Sequence, residues 1–169
     1  MRSRSGCYVS NLNLTNLVST FSLLFEAMYI NNQNPLFEIY ELKTTLEVGI
    51  ASRVAKIRTI EDVVELKRII DLMDKAETQA EMVSVDEQYH NKLAEISRNS
   101  LYFSLIKIIH SLLRESRLHY SNFVSEYANT VAEHKALFNA IKEQDEDTAM
   151  NTARSHSNRR KNLLIQDLF

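Results

Sequence analysis

From about Leu12 to Ile30, apolar residues return every three or four positions, with Leu14, Leu17, Phe21, Leu24, Phe25 and Met28 in one stripe. That is the period of an amphipathic helix. NNQNP at 31–35 breaks the pattern, and Pro35 suits the first turn of a new helix. The second helix runs to about Ile57. Leu42, Leu46, Ile50 and Val54 lie in line, widened by Ile39 and Ala51. Gly49 inside it costs about 1 kcal/mol against alanine, which points to a close helix crossing. Thr59 reads as an N-cap with Asp62 three residues on. Ile60, Val63, Val64, Ile70 and Met73 then carry a third helix to about Ala80. A fourth spans about Ser84 to Arg98, and Asn99-Ser100 ends it, with Ser100 as the cap of the next.

The fifth, about Leu101 to Phe123, has two apolar rows: Leu101, Leu105, Ile108, Leu112 and Tyr102, Ile106, Ile109, Leu113. So wide a stripe predicts a central helix touched on several sides. A sixth covers about Ser125 to Glu143 and a seventh about Asp147 to Leu164. The seventh opens with acids and closes with Arg159, Arg160 and Lys161, which complements the helix dipole. The prediction is all-α, seven helices and no sheet.

Composition sharpens this picture. The chain has 169 residues with only two Gly and one Pro, so long helices and short loops are expected. A charge of −2 gives no basic excess for nucleic acid. Arg154, Arg159, Arg160 and Lys161 make a small cluster, expected to be a solvated helix face. Cys7 is alone, so no internal disulfide forms, and a cytoplasmic setting is expected. No apolar run approaches the roughly 18 residues of a membrane span. Arg2 and Arg4 are not followed by the apolar core of a signal peptide.

Five histidines fall on different helical faces. His134 lies on the apolar line Tyr127, Val131, Phe138, Ile141. His156 shares a face with Ala149, Thr152, Ala153 and Leu163, and His90 lies with Asp86, Leu93, Ala94 and Ser97. These three point inward from three helices. His110 reads as a core-rim residue with a satisfied ring, and His119 as a surface one. Asp86 and His90, four apart, share a face with side chains about 5–6 Å apart. Three neutral imidazoles and a carboxylate suit a divalent ion such as zinc, nickel, cobalt or manganese. The residues alone equally allow three core histidines.

The run Asp86-Glu-Gln-Tyr-His90, then Leu93-Ala94, Ser97 and Asn99, resembles the FCD domain. This is the C-terminal effector-binding and dimerisation domain of the fatty-acid-regulator branch of GntR-family transcription factors. Glu133-His134 followed by LFNAIKEQD, ARSH with His156, and FEIYELKTTLEVGIASRVA at 37–55 fit the same pattern in the same order. The resemblance covers about Leu12 to the C-terminus. It implies an antiparallel bundle of six or seven helices, and a divalent metal, zinc or nickel foremost, held by Asp86, His90, His134 and His156. It further implies a small organic acid effector beside the metal, and a homodimer. Where the family carries arginine this chain has Lys43, a candidate for the effector's charge or else a solvated lysine. Residues 1–10 resemble the end of a DNA-binding wing and its linker, and 11–169 the FCD domain itself. DNA would be read only through a winged helix-turn-helix that these residues do not include.

Two other functions stay open. One is a metal-dependent hydrolase, with Glu87 or Glu133 as base. The other is a metal-free dimerisation module with structural histidines.

Overall fold

A computed structural model describes residues 14–30, 35–119 and 123–166. The expectation for residues 1–10 lies outside them, as does the side chain of His119. Seven helices follow in order: α1 (Leu14–Ile30), α2 (Pro35–Ile57), α3 (Ile60–Met73), α4 (Gln79–Ile96), α5 (Ser100–His119), α6 (Phe123–Lys142) and α7 (Glu146–Gln166). No strand occurs among the described residues. The chain is an all-α bundle, as its periodicity predicts.

Pro35 opens α2, and Thr59 caps α3 in a capping box with Asp62. Two boundaries differ from the sequence reading. α3 ends at Met73 rather than near Ala80, because Thr78 and Glu81 form a second capping box that starts α4 five residues earlier than expected. Asn99, not Ser100, caps α5: its Oδ1 accepts from the backbone N–H of Leu101 at 3.0 Å and of Tyr102 at 3.4 Å. Arg98 and Gln144 take left-handed backbone, φ 55° and 58°, just after α4 and α6 end.

The axis of the bundle is α2, which packs most extensively on α7 and also meets α4, α5 and α6. α5 is touched on several sides as expected, by α4, α2 and α1, but it is not the axis. Its row Ile106, Ile109, Leu113 is buried, whereas Leu101 at the head of the other row is 70% exposed. α1 lies across α5 and α2 at the periphery. Gly49 marks a close approach of α2 and α5, with the Tyr102 hydroxyl 3.4 Å from where a Cβ would stand. No helix among the described residues is long and apolar enough to cross a membrane.

The core places the predicted inward faces together. Tyr127, Val131, Phe138 and Ile141 of α6 are buried, as are Leu93, Ala94 and Ser97 of α4 and Ala149 and Ala153 of α7. His90, His134 and His156 lie among them.

Candidate metal centre

α4 supplies Asp86 and His90, α6 supplies His134 and α7 supplies His156. All four are buried, and one ligating atom from each lies within 4.8 Å of the others. His90 Nε2 and His134 Nε2 stand 3.1 Å apart. Asp86 Oδ1 is 3.5 Å from His134 Nε2 and 3.8 Å from His90 Nε2. Metal–ligand bonds near 2.1 Å put neighbouring ligand atoms roughly 3.0–3.5 Å apart. The three helices thus bring together the four residues that the sequence singled out, two of the spacings in that range and the rest within 4.8 Å, a group that could hold one ion.

The partners behind these residues are as specific as the residues themselves. Glu47 of α2 accepts from His90 Nδ1 at 2.7 Å. Glu133 of α6 accepts from His156 Nδ1 at 2.7 Å. A carboxylate acts only as acceptor here, so each histidine carries its proton on Nδ1 and offers Nε2 to the centre. Arg117 of α5 donates to Asp86 Oδ2, leaving Oδ1 for the centre. Neither Glu47 nor Arg117 is singled out by helical periodicity. Glu47 does stand in the α2 stretch that carries the family pattern, and this was the signal available for it. Glu133 lies about 100° around α6 from His134, but the neighbour that meets it there is His156 of α7.

Lys43 is not a solvated lysine. It is 4% exposed, and its Nζ donates to Glu47 Oε1 at 2.6 Å, one turn away. The expected solvated face on α7 is also corrected. Arg160 is 6% exposed. Arg159 grips Glu133 through Nε at 2.6 Å and Nη2 at 2.9 Å, and reaches Glu126 through Nη1 at 2.8 Å. Lys161 lies over the Phe37 ring. Only Arg154 of the four is exposed. Arg159 braces Glu133 and, through it, His156.

The electrostatics prepare ligands in their unprotonated forms. Burial alone would raise the Asp86 carboxyl, but the Arg117 guanidinium beside it holds it well below the usual carboxylate range. Burial likewise opposes ionisation of Glu47, and His90 and Lys43 override it. Glu133 is pulled down to about 2, its burial outweighed by the hydrogen bonds from His156 and Arg159. Burial, then the neighbouring His156, push His134 well below its ordinary value. Burial lowers His156 too, against the raising effect of Glu133. Neutral imidazoles and an ionised carboxylate are the forms a metal binds.

His110 is deeper than expected. It is 3% exposed, not at the rim, and neither ring nitrogen has a hydrogen-bond partner. Its ring stands edge-on to that of His90, with centroids 5.6 Å apart. A cavity of about 10 Å³ borders Glu47, His90 and His156, about the size of one water. A larger apolar cleft of about 210 Å³ lies elsewhere, between α1, α2 and α5.

The FCD domain family model matches residues 38–159. The HTH-type transcriptional regulator LutR of Bacillus subtilis (strain 168) is 24% identical over 147 residues, covering 83% of this chain. The chain spans 65% of that relative's length. Among solved structures, a GntR protein of Streptococcus agalactiae superposes with a TM-score of 0.68 at 22% identity, over 96% of this chain and 73% of that one. McbR/YncC of E. coli gives 0.72 at 14% identity, over 94% and 88%. At these identities the two structures speak for the fold alone.

Proposed function

The chain belongs to the FCD domain family, and from that premise we propose that it is the effector-sensing and dimerisation part of a GntR-type transcriptional regulator of the fatty-acid-regulator branch. It holds one divalent metal through Asp86, His90, His134 and His156, and takes a small carboxylate effector beside it. The observation that carries this reading is the convergence of those four side chains, with outer partners on three of them. A bound metal supplies a Lewis-acidic centre with positions left for an anionic oxygen. The chain's own residues set its ligands: Glu47 and Glu133 fix two imidazoles, and Arg117 fixes Asp86. Lys43, held on Glu47 beside His90, adds positive charge where an acid would enter.

Effector binding changes the dimer's geometry, and in a full-length regulator that change reaches a DNA-reading domain. DNA contact lies with such a domain, and the cytoplasm is the setting such a regulator works in. The hydrolase alternative loses ground because both candidate bases are held in ion pairs, Glu133 by His156 and Arg159 and Glu87 by Arg114. In the metal-free alternative His134 Nε2–H donates to His90 Nε2 across 3.1 Å, so metal content tells the two readings apart.

Elemental analysis of the purified chain is expected to find one divalent metal per chain. Organic acids added to the loaded protein are expected to raise its melting temperature with concentration. A chain without stoichiometric metal, or one that no acid stabilises, would sink the proposal.

A further inference from the structure

His110 and Arg117 are two turns apart on the same face of α5, and both reach the candidate metal centre. His110 stands edge-on to His90. Arg117 holds Asp86 through Nη2, while its Nη1, 3.6 Å from Glu87, makes no hydrogen bond. Both side chains are more than nine-tenths buried. Buried polar groups in native proteins are almost always paired, and leaving one unpaired costs about 1–3 kcal/mol. The unpaired N–H of neutral His110, and an Arg117 Nη1 held only in a long ion pair with Glu87, therefore point to a ligand that supplies an acceptor along this wall.

Charge says what kind of ligand. Among the described residues, the buried cations Lys43 and Arg117 are matched by the buried carboxylates Glu47 and Asp86, and Arg160 is not free either. The partly buried carboxylates Glu87 and Glu133 are already matched by Arg114 and Arg159. A divalent ion adds two further positive charges. An excess of buried positive charge is stable only with anions to offset it.

We propose that His110 and the Nη1 edge of Arg117 form the recognition wall for an effector with two carboxylates. One carboxylate reaches the metal, and the other is held by the α5 wall. This rests on the sensor reading above and names the residues that select within it. A monocarboxylate satisfies the metal alone and leaves His110 unpaired, so His110 discriminates in favour of the dianion.

The test uses the metal-loaded full chain with acetate, succinate and malate as probes, followed by calorimetry. The His110→Leu variant, which removes the unpaired polar ring, is expected to keep its metal and to bind acetate as the parent does. Its affinity for succinate and malate is expected to fall about tenfold or more, the worth of a hydrogen bond to a charged group. His110→Gln, which can still donate, is expected to recover part of that loss. Unchanged succinate and malate binding in His110→Leu overturns the assignment, and so does loss of the metal. Should the leucine variant not fold, nitrogen NMR of the parent decides. Succinate must shift the His110 ring nitrogens, and an unmoved signal overturns the proposal. A loaded parent that binds none of the three acids fails the sensor reading itself, which is a different result from a parent that binds them regardless of His110.

Discussion

Glu47 and Glu133 do for two histidines what the sequence pattern of those histidines cannot: each fixes which ring nitrogen faces the centre. Neutralising either carboxylate replaces the charged acceptor for Nδ1–H with a weaker amide oxygen and leaves the histidine in place. Outer partners of this kind typically carry 10–100-fold in metal affinity. Glu47→Gln and Glu133→Gln are therefore each expected to weaken metal binding by about that factor, with helicity by circular dichroism unchanged. Competition titration against a chromophoric chelator measures it, and parental affinity in both variants would refute the role. The same residues set the response to acid. His110, His134 and His156 all have folded values below their ordinary 6.5. Above pH 6.5 both folded and unfolded forms are neutral and nothing is lost. As pH falls below 6.5 the unfolded chain takes up protons that the buried rings refuse, so stability declines by about 1.4 kcal/mol per pH unit for each such proton. Asp86, Glu47 and Glu133 are depressed carboxylates. Their stabilisation is full above their unfolded values near 4 and is lost as pH falls from there towards their folded values. Urea denaturation of the metal-free chain at pH 7.5 and 5.5 is expected to show a clear loss at the lower pH; equal stability would contradict the burial of neutral rings.

At the scale of elements, local chemistry decides boundaries that periodicity blurs. Ile70, Met73, Ala76 and Ala80 keep a helical spacing straight through the turn between α3 and α4, and so the two helices merge when read by apolar position. The stop is set by Thr78, whose hydroxyl accepts from the Glu81 backbone N–H at 3.2 Å while the Glu81 carboxylate accepts from the Thr78 N–H at 3.0 Å. The corresponding box at Thr59, closed by Asp62, was legible because Thr59 follows the end of an apolar stripe. Thr78→Ala is expected to cost about 1 kcal/mol, read by denaturant midpoint, and no loss would show that the cap is idle. Gly49 gives the opposite sign. A Cβ there meets only the Tyr102 hydroxyl, at 3.4 Å, which is ordinary contact. Gly49→Ala then gains helix propensity worth up to about 1 kcal/mol and is expected to raise the melting temperature. A fall would mean that α2 and α5 are closer than this contact indicates. The faces of α7 were legible for His156 but not for Arg159 and Arg160. An arginine paired to carboxylates of another helix has the same hydropathy as one in water.

The whole molecule explains why the four candidate ligands were legible and their supports were not. Asp86, His90, His134 and His156 reveal themselves as polar residues on apolar faces, a local signal. Glu47, Arg117 and Lys43 gain meaning only from which helices meet, and α2, which supplies two of them, is the axis that every site-bearing helix touches. The candidate centre therefore joins α2, α4, α5, α6 and α7, and an ion there links segments from residue 43 to residue 160. Metal that binds the folded chain alone stabilises it by about 4 kcal/mol at a thousandfold excess over its Kd. For a chain of this size that corresponds to a rise of roughly 8–16 °C in melting temperature. Chelation is expected to reverse the rise, and His134→Ala to abolish it, since the His134 ring packs against those of both His90 and His156 in the candidate centre. Hydrogen exchange locates the effect. Slowed exchange on adding metal is expected along α2 and α4 to α7 together, while α1, at the periphery, stays as it was. Protection confined to α4 would mean that Asp86 and His90 bind an ion alone and that the helices are not joined through it.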